Sequence, residues 1–155
     1  MYAFATLAAV ATAAASDFPR FDSMHAHCQM NVKFVYTSCA VLYAELDDEI
    51  RSWANGDPSN GLMAVKEEEL YTYIWSTRTT PVAHYIDDQI FELTQNGHDC
   101  DVLAKSRSQT TSLYDYDTNY CNMWNVLNSI GGMTSLTTKD CAWVPDSAVE
   151  TCAIY

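Results

Sequence analysis

The segment SLYDYDTNYCNMW, residues 112–124, holds the residues whose types and spacing are most typical of a chemical site. Asp115, Asp117 and Asn119 alternate there as D-x-D-x-N, the opening of a calcium loop in which oxygen ligands converge on one hard cation. The glycine and the bidentate glutamate that complete such a loop are missing from this sequence. The pattern also suits a helix start with Asp117 or Thr118 as N-cap, and we favour that interpretation over calcium binding.

Two histidine motifs are further candidates. His84 and Asp88 share one face of a predicted strand, which is the placement an acid–base pair requires, although a cross-strand or edge ion pair is the commoner explanation. His25, His27 and Cys28 have a spacing that fits copper or zinc, unless Cys28 is oxidised. No nucleophile, base and orienting group lie at a recognisable spacing, so we assign no catalytic residue and an enzyme is the least supported class.

Aromatic residues form two groups that are candidates for a ligand surface. One group alternates along a strand and the other clusters near the last predicted helix. Core packing is the commoner explanation for such residues, but a tyrosine combines an apolar ring with a polar tip, which suits partial exposure at a binding surface. We predict ligand binding by Tyr71, Tyr73, Trp75, Tyr116, Tyr120 and Trp124.

The first fifteen residues, MYAFATLAAVATAAA, predict a signal peptide. They are apolar and uncharged, they end in small residues, and they are shorter than the ~20 residues of a membrane span. The predicted mature chain, residues 16–155, is a single domain with no further apolar segment of that length, and it is expected to be secreted or to reside in an organelle lumen.

Six cysteines follow the leader, and an even number in an exported chain predicts disulfides. They are Cys28, Cys39, Cys100, Cys121, Cys141 and Cys152. Cys28 and Cys39 flank a predicted strand and would lie about 30 Å apart, too far for a disulfide. Cys141 and Cys152 share an irregular segment, and we predict a bond between them.

The predicted elements are one strand, one helix, about four strands and a final helix. Ser38 is the predicted N-cap of the first helix, Asn96-Gly97 marks a hairpin, and Gly131-Gly132 ends the last helix. The tail from about residue 133 has no clear periodicity. This order predicts an α+β fold in which two helices grip one face of an antiparallel sheet of about five strands.

Residues 36–130 resemble the domain-of-unknown-function family 1499. The matching positions are Thr80, Asp87-Asp88 with Ile90 and Phe91, Ser106 and Ser108, and Asp115 with Asn119. The sequence departs from the family at Gln109, where an arginine is usual, and at Tyr120, Cys121 and Asn122, where basic residues are usual. The resemblance implies an α+β fold and no established reaction.

The charge of the chain limits the classes of partner that it is expected to bind. Twenty acidic residues against eight basic ones give a formal net charge of −12, which repels nucleic acid and anionic membranes. We expect a small exported protein that holds an apolar or aromatic-compatible ligand. No cofactor is expected, and calcium at Asp115, Asp117 and Asn119 is the less favoured alternative considered above. The alternative is a structural or interaction subunit of an extracellular or lumenal assembly, with a protein partner.

Overall fold

The computed structural model describes residues 17–155, and the predicted signal peptide lies outside them. Within these described residues, six strands form one antiparallel sheet in the order β2-β3-β4-β5-β1-β6, and three α-helices accompany it. The strands are β1 (His27–Phe34), β2 (Leu62–Glu69), β3 (Tyr73–Thr79), β4 (Ile86–Asn96), β5 (Asp99–Ser108) and β6 (Ser135–Lys139). The helices are α1 (Cys39–Ser52), α2 (Thr118–Ile130) and α3 (Ala148–Thr151). The predicted α+β class is confirmed.

The main core lies between the sheet and the two long helices. Alternate residues of β1, including Met30, Val32 and Phe34, are buried toward the helices. They belong to the same apolar cluster as Leu46 of α1 and Leu127 of α2. The strand period of two and the helical spacing therefore place both apolar faces in one layer. In residues 17–155, no helix is long and apolar enough to cross a membrane.

Several predicted boundaries are confirmed. The Ser38 hydroxyl accepts a hydrogen bond from the backbone N–H of Val41 at the start of α1. Gly97, with φ +62°, occupies the tight turn between β4 and β5, and Gly131, with φ +72°, follows the last residue of α2. These positions take left-handed backbone conformations that favour glycine.

The start of α2 differs from the prediction. Asp117 precedes the helix in a left-handed conformation and its side chain caps no N–H, while Thr118 is already helical. Asp115 takes over the role, because its carboxylate accepts the backbone N–H of Asn119 at 3.0 Å. The prediction chose the residue next to the helix, whereas the tight turn through Asp117 brings the more distant carboxylate over the first turn.

The C-terminal segment contains a strand that the prediction missed. Residues Ser135–Lys139 form β6, which pairs with β1 through contacts such as Met30 with Thr138. Its residues are mostly exposed, so it shows no apolar alternation that a sequence pattern could reveal. The sheet consequently has six strands where about five were expected.

The disulfides join Cys28 to Cys141, Cys39 to Cys100, and Cys121 to Cys152. The predicted Cys141–Cys152 bond is wrong, and the absence of a Cys28–Cys39 bond agrees with the prediction. Pairing of β6 with β1 brings Cys141 to Cys28, and this leaves Cys152 near α2.

Candidate functional site

A pocket opens at the end of the sheet where β3 and β5 end, β4 begins and α2 starts. Its volume is about 360 Å³, which lies within the range of small-molecule sites. Every lining side chain carries a hydroxyl or a carboxyl group. The pocket residues are Thr80, Ser108, Thr110, Thr111, Ser112 and Thr118, the tyrosines Tyr85, Tyr114 and Tyr116, and the acids Asp87 and Asp115.

The most buried residue of the pocket lining is Asp87, which is held by a buried chain of hydrogen bonds. The side-chain amide of Asn122 on α2 donates to Asp87 Oδ2 at 2.8 Å, and Arg78 Nη1 donates to the side-chain oxygen Oδ1 of Asn122 at 3.3 Å. Arg78 in turn forms a buried ion pair with Asp57. The Asp87 carboxyl is thereby positioned from behind by groups that are closed to solvent.

A second branch of this network fixes Asn119. Its side-chain oxygen Oδ1 accepts from the Ser106 hydroxyl at 2.7 Å, and its side-chain Nδ2 donates to Ser108 Oγ, to Asp115 Oδ2 and to the backbone oxygen of Ala26. The side chains of Ser106 and Ser108 lie on the same face of β5, as the strand period predicts. This branch orients two of the pocket residues, Ser108 and Asp115, before any ligand arrives.

The rim of the pocket contains unusual backbone. Tyr116 and Asp117 are consecutive non-glycine residues with φ values of +48° and +70°. Such conformations cost free energy and persist where the surroundings impose them, often at binding sites. Here the ring of Tyr116 stacks on that of Trp143, with ring centroids 6.3 Å apart. The ring of Tyr114 is tilted against the same tryptophan, with ring centroids 6.1 Å apart.

Burial raises the pKa of two acids at or beside the pocket. Asp87 is only 2% exposed, and burial raises the pKa of its carboxyl because the ionised form loses water. Hydrogen bonds from Asn122 and Ser108 and the nearby Arg78 oppose this shift only in part. Burial also raises the pKa of Asp117, with smaller contributions from the neighbouring acids Asp115 and Asp146.

Asp87→Asn is expected to raise the melting temperature at pH 7. Because the folded-state pKa of Asp87 is raised, its contribution to stability is fully present below the unfolded-state pKa of about 4 and is lost as the pH rises through the folded-state pKa. Asparagine has no charge to bury, and its carbonyl oxygen still accepts from Asn122. In thermal unfolding at pH 4 to 8, the melting temperature of the variant should increase relative to that of the wild type as the pH rises.

Asp88→Asn is the matched control because Asp88 lies on the opposite face of β4. Its Oδ1 accepts from Trp75 Nε1 at 2.8 Å and lies 3.4 Å from Lys66 Nζ. The same substitution there removes a paired charge, so the melting temperature should fall. If Asp87→Asn also lowers the melting temperature at pH 7, the burial cost assigned to Asp87 is wrong.

The structure does not bring the six predicted ligand-binding aromatics together. Tyr116 alone among them lines the pocket. Tyr73 and Trp75 are buried on the sheet face away from the helices, where Phe18 packs edge-on against Trp75. Tyr71 lies on an exposed turn against Tyr43. The other two, Tyr120 and Trp124, belong to α2 and pack into or against the main core.

The predicted metal and acid–base sets are also separated. The side chain of Asn119 is occupied by the internal network, so Asp115, Asp117 and Asn119 do not form a common ligand set. Within residues 17–155, no group of three or more His, Cys, Asp or Glu residues could hold a metal ion. In the HAHC motif Cys28 is oxidised, and His25 contacts Asp22.

His84 does not lie beside Asp88. It belongs to the exposed loop before β4, with φ +55°, whereas Asp88 is buried within that strand. The shared face that the sequence predicted requires a strand extending from residue 84, but β4 begins at Ile86.

Asp57, Arg78 and Asn122 are site-supporting residues that the sequence analysis missed. The sequence does contain a signal for Asn122. It lies three positions after Asn119, so both asparagines fall on the buried side of α2, which also carries Met123. Ser106 and Ser108 continue the buried face of β5 after Ala104, so polar residues replace apolar ones at the same end of both elements. Nothing local indicates the Asp57–Arg78 pair, which joins residues 21 positions apart.

No family model, curated protein or solved structure matches this chain.

Proposed function

We propose that the protein binds a small molecule in the pocket between Asp87 and the tyrosines of its rim. The observation that supports this most directly is the arrangement of Asp87, Ser108 and Asp115, which a buried network holds at a cavity of about 360 Å³. Polar groups positioned in advance reduce the ordering cost of binding. The aromatic rim supplies the ring surface expected for an aromatic-compatible ligand.

We also propose that the resemblance to family 1499 reflects a shared site. Thr80, Asp87, Ser108 and Asp115 are matching positions that all line the pocket, and Asn119 holds two of them. These four residues are far apart in the sequence and lie at one cavity in the structure. This convergence supports the relation without assigning a reaction.

The proposed place of action is outside the cell or in an organelle lumen. Three disulfides with no free cysteine in residues 17–155 support this proposal, because such bonds persist in oxidising compartments. The predicted signal peptide supports it independently. The acidic surface is expected to disfavour nucleic acid as a partner.

Native mass spectrometry of protein purified from its own source tests the proposal. A small mass that is retained under native conditions and lost on denaturation is the expected result. The purified ligand, added back, should change the emission of Trp143, which contacts two rim tyrosines. Trp143→Phe should abolish that change in emission without abolishing binding.

Tyr116→Ala is expected to weaken binding of that ligand at least about tenfold, since it removes a ring from the rim. Tyr36→Ala is the control, because Tyr36 is 89% exposed and does not line the pocket. Equal affinities of the two variants would place the ligand elsewhere. Protein that carries no ligand and elutes within a larger complex would instead favour the assembly-subunit alternative.

A further inference from the structure

We propose that the ligand of this pocket is a neutral sugar ring, an inference that rests on the proposed binding function. The argument begins with the lining. Its eleven side chains all bear hydroxyl or carboxyl groups, and none is a lysine, arginine or histidine. A purely apolar ligand would leave these polar groups without partners, which costs affinity.

The hydroxyl groups of the lining present both donors and acceptors. Thr80 Oγ1 accepts the backbone N–H of Tyr85 at 2.9 Å, so its own O–H remains to donate. Ser112 and Thr118 donate their hydroxyl protons to the backbone oxygens of Tyr114 and Asp115, so their lone pairs remain to accept. Each sugar hydroxyl donates and accepts in the same way, and it therefore matches such a mixed set.

The two carboxyl groups of the lining are further hydrogen-bond acceptors for sugar hydroxyls. Asp115 uses Oδ2 for the backbone and side-chain amides of Asn119, and this leaves Oδ1 for a ligand hydroxyl. Asp87 is a buried lining residue whose Oδ2 accepts a hydrogen bond from Asn122. A hydrogen bond from a hydroxyl to a carboxylate is among the stronger kinds, and it places no charge on the ligand.

The tyrosine rings complete the recognition surface. Tyr114 and Tyr116 stand at the rim and contact Trp143, which restricts their rings. The faces of such rings can cover the C–H groups of a sugar while their hydroxyl tips stay in water. With two acids and no basic residue in the pocket, an acidic sugar would be repelled.

Matched probes of different charge test the inference on the intact, oxidised protein. D-Glucose, D-galactose and D-mannose are titrated beside D-glucosamine and D-glucuronate, with isothermal calorimetry and saturation-transfer NMR as readouts. At least one neutral hexose should bind saturably, and glucuronate should bind at least about tenfold more weakly. Maltotriose in parallel distinguishes a free monosaccharide from a ring at the end of a glycan.

Thr110→Val checks that binding occurs in this pocket, since it replaces a lining hydroxyl by an isosteric methyl group. The affinity for the neutral hexose should fall about three- to tenfold. Thr138→Val is the matched control on the exposed edge strand β6, and it should leave the affinity unchanged. Equal affinities of the two variants would overturn the assignment of the sugar to this site.

The possible failures are distinguishable. Glucosamine that binds about tenfold more tightly than every neutral hexose, or glucuronate that binds best, overturns the neutral-sugar class and leaves the binding function standing. If the native ligand described above proves to be another kind of molecule and no sugar competes with it, the result is the same. If no sugar binds and no native ligand is found, both proposals fail.

Discussion

Asp57→Ala is expected to lower the free energy of unfolding by about 3–5 kcal/mol, because it leaves the charge of Arg78 buried without its partner. Both side chains are only 2% exposed, and Arg78 Nε donates a hydrogen bond to the Asp57 carboxylate. Its other oxygen accepts the backbone N–H groups of Ser59 at 2.9 Å and Gly61 at 2.7 Å. Since the total free energy of unfolding of a small domain is about 5–15 kcal/mol, this loss is a large share of its stability.

Two further variants divide this effect into its parts. Asp57→Asn keeps an oxygen for the two backbone bonds and removes only the charge, so it should retain more stability than Asp57→Ala in urea denaturation. Adding Arg78→Met to Asp57→Asn removes the uncompensated cation and should recover part of the loss. A double variant less stable than Asp57→Asn alone would show that Arg78 contributes more through its other contacts than through this ion pair.

The close packing at Gly61 explains why the ion pair has so little freedom. A Cβ atom added there would lie 2.6 Å from Arg78 Nη2 and 2.7 Å from the Asp57 carboxylate. These distances are shorter than van der Waals contact, and the pair is too buried to move aside. The guanidinium of Arg78 therefore packs directly against the turn of residues 57–61. A residue without a side chain is needed at position 61 to leave room for the ion pair.

The fold was predictable where one element shows its own period. The alternation of β1 and the helical spacing of Leu42, Leu46 and Ile50 each depend on a single buried face, which local residues reveal. The exposed strand β6 has no such face, so its pairing with β1 depends on neighbours distant in sequence. The error in the Cys141 pairing follows from the same omission.

The site was less predictable because its residues act through contacts between elements. Ser106, Ser108, Asp115 and Asn119 were singled out from the sequence, but their common network depends on how α2 crosses the end of β5. The aromatic residues show the opposite case. Their composition suggested one surface, whereas alternation along β3 places Tyr73 and Trp75 on the sheet face away from the helices, while the pocket lies at the sheet end near α2.

The Cys28–Cys141 disulfide is expected to stabilise the protein and also to maintain the pocket. It closes a separation of 113 residues, so replacing both cysteines by alanine should lower the free energy of unfolding by about 4–5 kcal/mol. Cys141 follows β6 and lies two residues before Trp143, which packs on the rim tyrosines. Without the bond, β6 is held by its backbone pairing with β1 and by the packing of Leu136 against the core, and Trp143 should lose its fixed contact with Tyr116.

The Cys39–Cys100 bond is the matched control for this last prediction. It closes 61 residues and joins α1 to β5 away from the pocket, so its removal should cost about as much stability. Amide hydrogen exchange of β6 and Trp143 emission should change in the Cys28/Cys141 variant and stay near wild type in the Cys39/Cys100 variant. If both variants alter Trp143 equally, the pocket rim depends on overall stability, and the disulfide beside it has no separate role in holding the tyrosines.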